Sequence, residues 1–168
     1  MKKITFIIAA MLVSLASHAQ FEQGKTYVGA SLSGFDLSYS GLTKGRLDVQ
    51  GKVGYLFSDN LMATAQLSYQ KQEDMPYTIS TGVGGRYYIV QNGLYFGASA
   101  LFKHHKGYDD FLPSVQVGYS FFINRTVTIE PELYYEQSFK NHSDYSQVGL
   151  RIGIGVYLFK DTYRNITQ

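Results

Sequence analysis

The amino-acid sequence predicts an all-β protein, an eight-stranded antiparallel up-and-down transmembrane β-barrel. Three observations predict this class. The chain opens with an export leader, and apolar and polar residues then alternate with a period of two. In addition, a motif of aromatic residues followed by a polar turn recurs every 32 residues.

Residues 1–19 have the pattern of a secretory signal peptide. Two lysines precede an apolar run, and small residues lead to Ala19, where we expect cleavage before Gln20. The run is too short for a helical membrane span. The leader holds two of the 15 Lys and Arg residues, so the remaining basic residues equal the 13 acidic ones. This balance gives no indication of a nucleic-acid partner.

Beyond the leader, the alternation predicts eight strands, from an opening strand near residues 26–37 to the closing stretch "GLRIGIGVYLF" at 149–159. In "LDVQGKVGYLF" every second residue from Leu47 suits hydrocarbon, whereas Asp48, Gln50, Lys52 and Gly54 on the other face do not. Short polar turns separate the strands near 58–60, 91–93 and 124–126; the second contains Asn-Gly, a strong hairpin signal.

The 32-residue repeat places aromatic side chains at one end of the molecule. Tyr55, Tyr87 and Tyr119 each precede a short turn. We therefore predict an aromatic girdle at a membrane interface. Its members are Tyr55, Phe57, Tyr87, Tyr119 and Phe121.

A soluble sandwich or barrel would also alternate. Its outward face would be rich in charged residues, whereas the polar positions here are mostly Gly, Ser, Thr and Gln, and only 17% of the chain is charged. Small uncharged side chains fit a narrow lumen better than a water-facing surface. The pattern thus favours the membrane barrel.

Several segments resemble the small outer-membrane barrels of Gram-negative bacteria, the OmpA- and OmpX-like family. They are the Ala-Gln leader junction, "VGYLFSDNLMATAQLSY" (53–69), "VGYSFF" (117–122), "IEPELYYE" (129–136) and the closing strand with its terminal aromatics. The junction and the "GYLFSDNL" turn are most similar to Bacteroidetes versions. The resemblance covers residues 20–159 as the barrel domain and supplies no catalytic motif.

The resemblance implies a location in the outer membrane, with the short turns and both termini in the periplasm. Residues 160–168 would form a short periplasmic tail, although such barrels usually end on the closing aromatic. The implied partners are outer-membrane lipid and lipopolysaccharide, and the barrel assembly machinery during biogenesis. We expect a monomer without cofactor or metal.

Successive residues of a strand face opposite sides, so the parity of a position, odd or even within its strand, predicts which side chains face the lumen. By this parity the lumen contains a charge cluster. Its members are Asp48, Lys52, Arg86, Glu130, Glu132, Glu136 and Arg151. An eight-stranded barrel is only just wide enough for its inward side chains to fill it. Because breaking a buried ion pair costs about 3–5 kcal/mol, these charges should pair. The main hypothesis is a non-enzymatic barrel with a packed polar lumen and a structural or surface-interaction role; the alternative is a narrow porin-like channel.

A second alternative is an enzyme that modifies outer-membrane lipids. His104 falls on the lipid-facing parity near the outer rim, where Ser114 or Ser138 could complete a Ser/His/carboxylate group. A second histidine and two aspartates nearby could instead bind a divalent metal, but their spacing matches no specific motif. The residues of that loop are His104, His105, Asp109 and Asp110.

The closing strand poses a question of register. If the apolar residues of "LRIGIGV" face outward, Arg151 faces the lumen; the opposite phase would place it against lipid, at about 2–4 kcal/mol. The favourable phase also turns Tyr157 and Phe159 inward, unlike the girdle tyrosines. We therefore predict a β-bulge near 155–156, with aromatics that plug the periplasmic mouth as the alternative. The glycines should leave room for Arg151 and for Tyr134 and Tyr88.

Overall fold

The computed structural model describes residues 21–38, 41–42, 46–72, 77–89, 93–105, 108–140 and 146–158. These residues form β-strands and no helix. The strands are β1 (Thr26–Ser38), β2 (Gly41–Leu42), β3 (Arg46–Ser58), β4 (Leu61–Gln72), β5 (Thr78–Tyr88), β6 (Leu94–His105), β7 (Tyr108–Tyr119), β8 (Phe121–Phe122), β9 (Val127–Glu136) and β10 (Gln147–Leu158). The predicted signal peptide and tail lie outside the described residues and stay predictions.

The strands close into a barrel. Each long strand pairs antiparallel with its neighbours in the order β10-β1-β3-β4-β5-β6-β7-β9, and β10 also pairs with β9. Because β2 and β8 have two residues each, the barrel wall in the described part of the chain consists of eight long strands. The predicted fold class, an eight-stranded antiparallel barrel, is confirmed. Within the described residues, no helical segment has the length and apolar character that a membrane span requires.

The short turns lie where the sequence predicts them. Asn60, between β3 and β4, has a left-handed backbone with φ of 63°, a conformation that asparagine tolerates better than most residues. Gly93, before β6, has φ of 65°, and residues 91–92 of that turn lie outside the described part. Asn124 Oδ1 accepts a hydrogen bond from the backbone N–H of Val127 at 2.8 Å, which fixes the turn into β9.

The two faces of the wall differ in character along every long strand. On β10, five apolar side chains face outward and are 40–64% exposed: Val148, Leu150, Ile152, Ile154 and Leu158. The alternate residues from Gln147 to Tyr157 point inward, and Arg151 is only 4% exposed. The lumen therefore receives the polar side chains and the outer surface receives the apolar ones, as expected for a barrel surrounded by lipid.

The predicted β-bulge near residues 155–156 is wrong. Pairing of β10 with β1 runs without a shift from Thr26↔Leu158 to Ser33↔Arg151. Tyr157 consequently points into the lumen, where it is 1% exposed and its hydroxyl lies 2.9 Å from that of Tyr88. A buried tyrosine with a polar partner is stable inside, so no change of register is needed. Phe159 lies outside the described residues.

Gly155 of β10 leaves room for different neighbours than the sequence predicts. A Cβ on Gly155 would lie 2.5 Å from the Tyr27 ring and 2.9 Å from Glu130 Oε1. This glycine therefore accommodates Tyr27 and the Glu130 carboxylate rather than the Arg151 guanidinium, Tyr134 or Tyr88.

We expect an outward charge in the middle of β10 to destabilise the barrel in lipid. Ile152→Arg should lower the free energy of unfolding by about 2–4 kcal/mol, because the guanidinium would face hydrocarbon near the midplane. Leu158→Arg, at the end of the same strand, is the matched control and should cost about 0–1 kcal/mol. Urea unfolding in lipid vesicles measures both, and equal costs would contradict a membrane-embedded band.

Candidate functional site

A carboxylate near the middle of β9, Glu132, lies at the centre of the lumen network. Its Oε2 accepts hydrogen bonds from Arg86 Nη2 at 2.8 Å and from the Tyr95 hydroxyl at 2.9 Å, and lies 3.5 Å from Lys52 Nζ. Its Oε1 accepts a hydrogen bond from Arg151 Nη1 at 3.0 Å. The four partners belong to β5, β6, β3 and β10, so side chains from several sides of the barrel meet at one carboxylate.

Glu130, one inward position away on β9, continues the network toward the short turns. Its Oε2 accepts hydrogen bonds from Arg86 Nη1 at 2.8 Å and from the Tyr27 hydroxyl at 2.9 Å. Its Oε1 accepts three hydroxyl hydrogen bonds, from Thr128 at 2.9 Å, Ser120 at 3.1 Å and Tyr157 at 3.1 Å. Arg86 thus bridges two carboxylates with its two terminal nitrogens, a strong and directional arrangement.

Toward the opposite end of the barrel, Arg151 carries the network onward. Its Nη2 lies 3.8 Å from Glu136 Oε1 and 3.9 Å from Asp48 Oδ2. Glu136 also accepts a hydrogen bond from Gln147 Nε2 at 2.6 Å. The Arg151 guanidinium carbon lies 4.0 Å from the centroid of the Tyr134 ring, which covers one face of the cation.

The structure thus brings all seven predicted lumen charges together. Each is buried, with 3–7% of its surface exposed. The sequence did not identify the tyrosines that complete the network. Tyr27 and Tyr95 donate hydrogen bonds to Glu130 and Glu132, and the Arg86 guanidinium carbon lies 4.2 Å from the centroid of the Tyr95 ring. The signal that could have identified these two tyrosines is their position on the inward-facing side of the period-two pattern.

Little free space remains around the network. A small cavity is lined by Lys52, Arg86, Tyr95, Glu132 and Arg151, together with other inward residues of β1, β9 and β10. Its volume, about 10 Å³, is close to the minimum that holds one water molecule. At this level the side chains fill the bore.

An aromatic cluster closes the end of the barrel that carries the short turns. The Phe21 ring stacks on Tyr88 with centroids 3.9 Å apart, and its edge contacts Tyr157 and Phe122 at 5.6 Å each. No sequence pattern indicates this role, because Phe21 precedes the alternating pattern and has no periodic neighbour. We call Phe21, Tyr88, Phe122 and Tyr157 the aromatic plug.

Hydrogen bonds hold the segment before β1 against the β3–β4 turn. Asn60 N donates to Phe21 O at 2.9 Å, and Gly24 N donates to Leu56 O at 2.8 Å. Lys25 follows, with its Nζ 4.0 Å from Glu22 Oε2. Burial lowers the pKa of the Lys25 ammonium, and the Glu22 carboxylate opposes this shift. Residues 21–25 are therefore part of the barrel rather than a loose extension.

The candidate enzyme residues lie on different faces of the wall. His104 is 72% exposed on the outer face, and its Nδ1 lies 2.5 Å from Asp109 Oδ1. Ser114 and Ser138 are buried inside, and Ser138 Oγ donates to Asp110 Oδ2 at 2.5 Å. The structure therefore brings neither serine to His104. Among the described residues, no group of three or more His, Cys, Asp and Glu side chains could hold a metal ion.

Three of the predicted girdle aromatics are clearly exposed on the outer face. Tyr55, Phe57 and Tyr87 have exposed fractions of 47–50%. Tyr119 and Phe121 are half-buried, with ring centroids 4.3 Å apart. Their contact with a membrane interface stays a prediction.

The chain matches the family model described as outer membrane protein beta-barrel domain over residues 5–161. It belongs to this family. The family is one of outer-membrane barrels, which agrees with the resemblance seen in the sequence, while its Bacteroidetes detail stays a prediction. No curated protein matches the chain.

Solved structures share the fold of this outer-membrane barrel. The N-terminal β-barrel domain of Pseudomonas aeruginosa OprF superposes with a TM-score of 0.57 at 14% identity, covering 81% of this chain and 98% of that one. Neisserial surface protein A gives 0.52 at 16% identity, with coverages of 79% and 95%. A de novo designed transmembrane β-barrel gives 0.53 at 16% identity, with coverages of 82% and 98%. Identities this low show the fold alone.

We expect loss of the Glu132 carboxylate to destabilise the barrel strongly. Glu132→Ala should lower the free energy of unfolding by about 3–5 kcal/mol, because it leaves Lys52, Arg86 and Arg151 without their shared counter-charge. The matched control is Gln66→Ala, another buried inward residue, whose only side-chain bond described is to Ser99 Oγ at 3.3 Å. That variant should cost about 1 kcal/mol for its hydrogen bond. Urea titrations in lipid vesicles compare them, and similar costs would refute the central role of Glu132.

Proposed function

We propose that this protein is a sealed, non-enzymatic barrel of the outer membrane with a structural or surface-interaction role. The observation that carries the proposal is the Arg86 bridge, in which one guanidinium from β5 binds both Glu130 and Glu132 of β9 at 2.8 Å. Together with Lys52 and Arg151, this bridge fills the cross-section of the lumen. A lumen filled by paired charges stabilises the barrel and leaves no path for a solute.

The aromatic plug adds a second closure. A solute that entered from the end with the short turns would meet the stacked rings of Phe21 and Tyr88 before the charged layer. Both layers would have to open together to give a continuous path. The resulting molecule is a rigid scaffold that presents the connections at the end opposite the short turns, near residues 38–45, 71–76, 104–111 and 140–145, at the cell surface.

The environment and partners of the barrel belong to the same proposal. The exposed apolar outer face fits outer-membrane lipid, and the girdle aromatics fit the boundary between hydrocarbon and headgroups. We include lipopolysaccharide as the neighbour of the outer rim, the barrel assembly machinery as the partner in biogenesis, and a monomer as the working unit. A closed wall without a free edge supports the monomer.

A narrow channel is the alternative that one observation favours. Two inward amide groups, Gln66 Oε1 of β4 and Gln116 Nε2 of β7, are buried without a hydrogen-bond partner in the described part of the chain. Buried amide groups of this kind are usually hydrated. Water bound at these two groups would be the start of a path for small ions.

Conductance in planar lipid bilayers separates the two functions. We expect no discrete openings from the wild-type barrel, because both layers block the axis. The double variant Arg86→Ala/Glu132→Ala removes the bridge from both sides and should give discrete openings, whereas Gln66→Ala should stay silent. Openings in the wild type that disappear in Arg86→Ala would establish the channel instead.

The enzyme alternative has its own measurement. Because His104 and the two serines lie on different faces of the wall, we expect lipid A from cells with and without the protein to have the same acylation by mass spectrometry. A change in acylation that is lost in His104→Ala would overturn the non-enzymatic proposal. His104→Gln controls for loss of the side chain's volume.

A further inference from the structure

The pairing of β7 with β9 is shorter than that of the neighbouring strands. It runs only from Ser114↔Glu136 to Gly118↔Glu132 and resumes through β8 at Phe121↔Ile129. By contrast, β6 and β7 pair without a break from Leu94↔Tyr119 to His105↔Tyr108. The β7–β9 seam is therefore the least continuously bonded boundary between long strands in the described part of the barrel.

Proline explains the interruption near the short turns. The registers on both sides of the break agree, so Tyr119 lies opposite Pro131. Ser120 N donates to Gly93 O at 2.8 Å on the β6 side, so the backbone groups of Tyr119 point the other way, toward β9. Pro131 has no N–H, and the Tyr119 carbonyl receives no ladder hydrogen bond from it.

A second proline lies at the other end of the same seam. Gln137 N donates to Pro113 O at 2.9 Å, which shows that the backbone of Pro113 also faces β9. Pro113 cannot donate a hydrogen bond in return. Two of the three prolines in the chain thus remove donors from one boundary.

The network lies directly behind the Tyr119–Pro131 gap. Ser120 follows Tyr119, is 2% exposed, and donates from Oγ to Glu130 Oε1 at 3.1 Å. The direct route from the mouth to the same carboxylate is covered by Tyr157, which donates to the same oxygen and contacts Phe21. Glu130 is therefore separated from the outside by a weakened wall on one side and by packed aromatic rings on the other.

We propose that water reaches the Glu130 end of the lumen network sideways, through the β7–β9 seam at Tyr119 and Pro131, rather than along the barrel axis. The seam opens locally because one ladder hydrogen bond is missing there, and the aromatic plug stays closed. Closure of the axis rests on the proposed sealed lumen, whereas the weakness of the seam rests on the strand pairing alone.

Thiol labelling tests this route, because the chain has no cysteine of its own. A single cysteine in Ser120→Cys reports access to the Glu130 oxygen in barrels reconstituted in lipid nanodiscs, using a small water-soluble methanethiosulfonate. Pro131→Val restores the missing N–H and keeps an apolar side chain on the outer face. It should slow the labelling about fivefold, the factor that corresponds to one net hydrogen bond.

Two further variants make the test specific. Phe21→Ala opens the axial mouth and should leave the labelling rate of Ser120→Cys unchanged. Thr64→Cys, buried on β4, four strands away from β9 in the barrel wall, should label slowly with or without Pro131→Val. Heat-modifiable migration on detergent gels verifies that each variant is folded.

Each labelling result either supports or overturns the route through the seam. Slower labelling with Pro131→Val, and no effect of Phe21→Ala, supports the seam. Faster labelling with Phe21→Ala and no effect of Pro131→Val overturns it in favour of the axis, and no effect of either variant overturns it in favour of global unfolding. Amide hydrogen exchange at residues 119–122 gives a second measurement of the same comparison. The seam predicts slower exchange with Pro131→Val and unchanged exchange with Phe21→Ala. Conductance of the wild type would refute the sealed lumen but would not decide the seam.

Discussion

The structure depends on the interaction of one buried carboxylate, Glu132, with three cations and a tyrosine hydroxyl. A carboxylate taken out of water loses solvation that only several charge-assisted hydrogen bonds can replace. Two of its hydrogen bonds are 2.8 and 2.9 Å long, and a third reaches its other oxygen at 3.0 Å. Because the donors come from different strands, the interaction constrains how the wall closes.

Small residues in the wall allow the large polar side chains to reach that centre. A Cβ on Gly118 would lie 2.4 Å from the Tyr95 hydroxyl oxygen, and one on Gly155 would lie 2.5 Å from the Tyr27 ring. Both tyrosines lie across a glycine on the inner face, with their hydroxyls on Glu132 and Glu130. The absence of a side chain at these positions is therefore part of how the carboxylates are satisfied.

The inner face of the wall changes from charged to aromatic side chains at the end with the short turns. Near the short turns the lumen becomes aromatic, with Tyr88, Tyr157 and Phe21 packed together. Each tyrosine hydroxyl still has a polar partner: the two lie 2.9 Å apart, and Tyr157 also donates to Glu130. The aromatic plug and the charge network are thus joined by hydrogen bonds rather than stacked as separate layers.

Much of this arrangement could be predicted from the sequence, because a period of two reports directly which side chains share a face. Parity placed Arg86, Glu132 and Arg151 in the lumen, and the cost of a charge in lipid fixed the phase of β10. Parity does not report which charges meet across the bore, since that depends on strand tilt and stagger. It also cannot distinguish a tyrosine at a membrane interface from one with a buried hydroxyl partner, and for this reason the β-bulge predicted beside Tyr157 is wrong, whereas the inward parity of Tyr157 is correct. Phe21 lies before the alternating pattern, where no periodicity exists to interpret.

The charge network and the seam between β7 and β9 are two parts of one solution. Where Pro131 and Pro113 remove donors from the wall, Tyr95 of β6 reaches over Gly118 of β7 and donates to Glu132 of β9 at 2.9 Å. This hydrogen bond crosses the seam from inside and ties together the strands that the ladder holds least. It acts at the level of Gly118↔Glu132, one residue pair from the Tyr119–Pro131 gap. The wall is consequently reinforced at the level of Gly118 and Glu132, and the gap left by Pro131 lies beside it, where Ser120 meets Glu130.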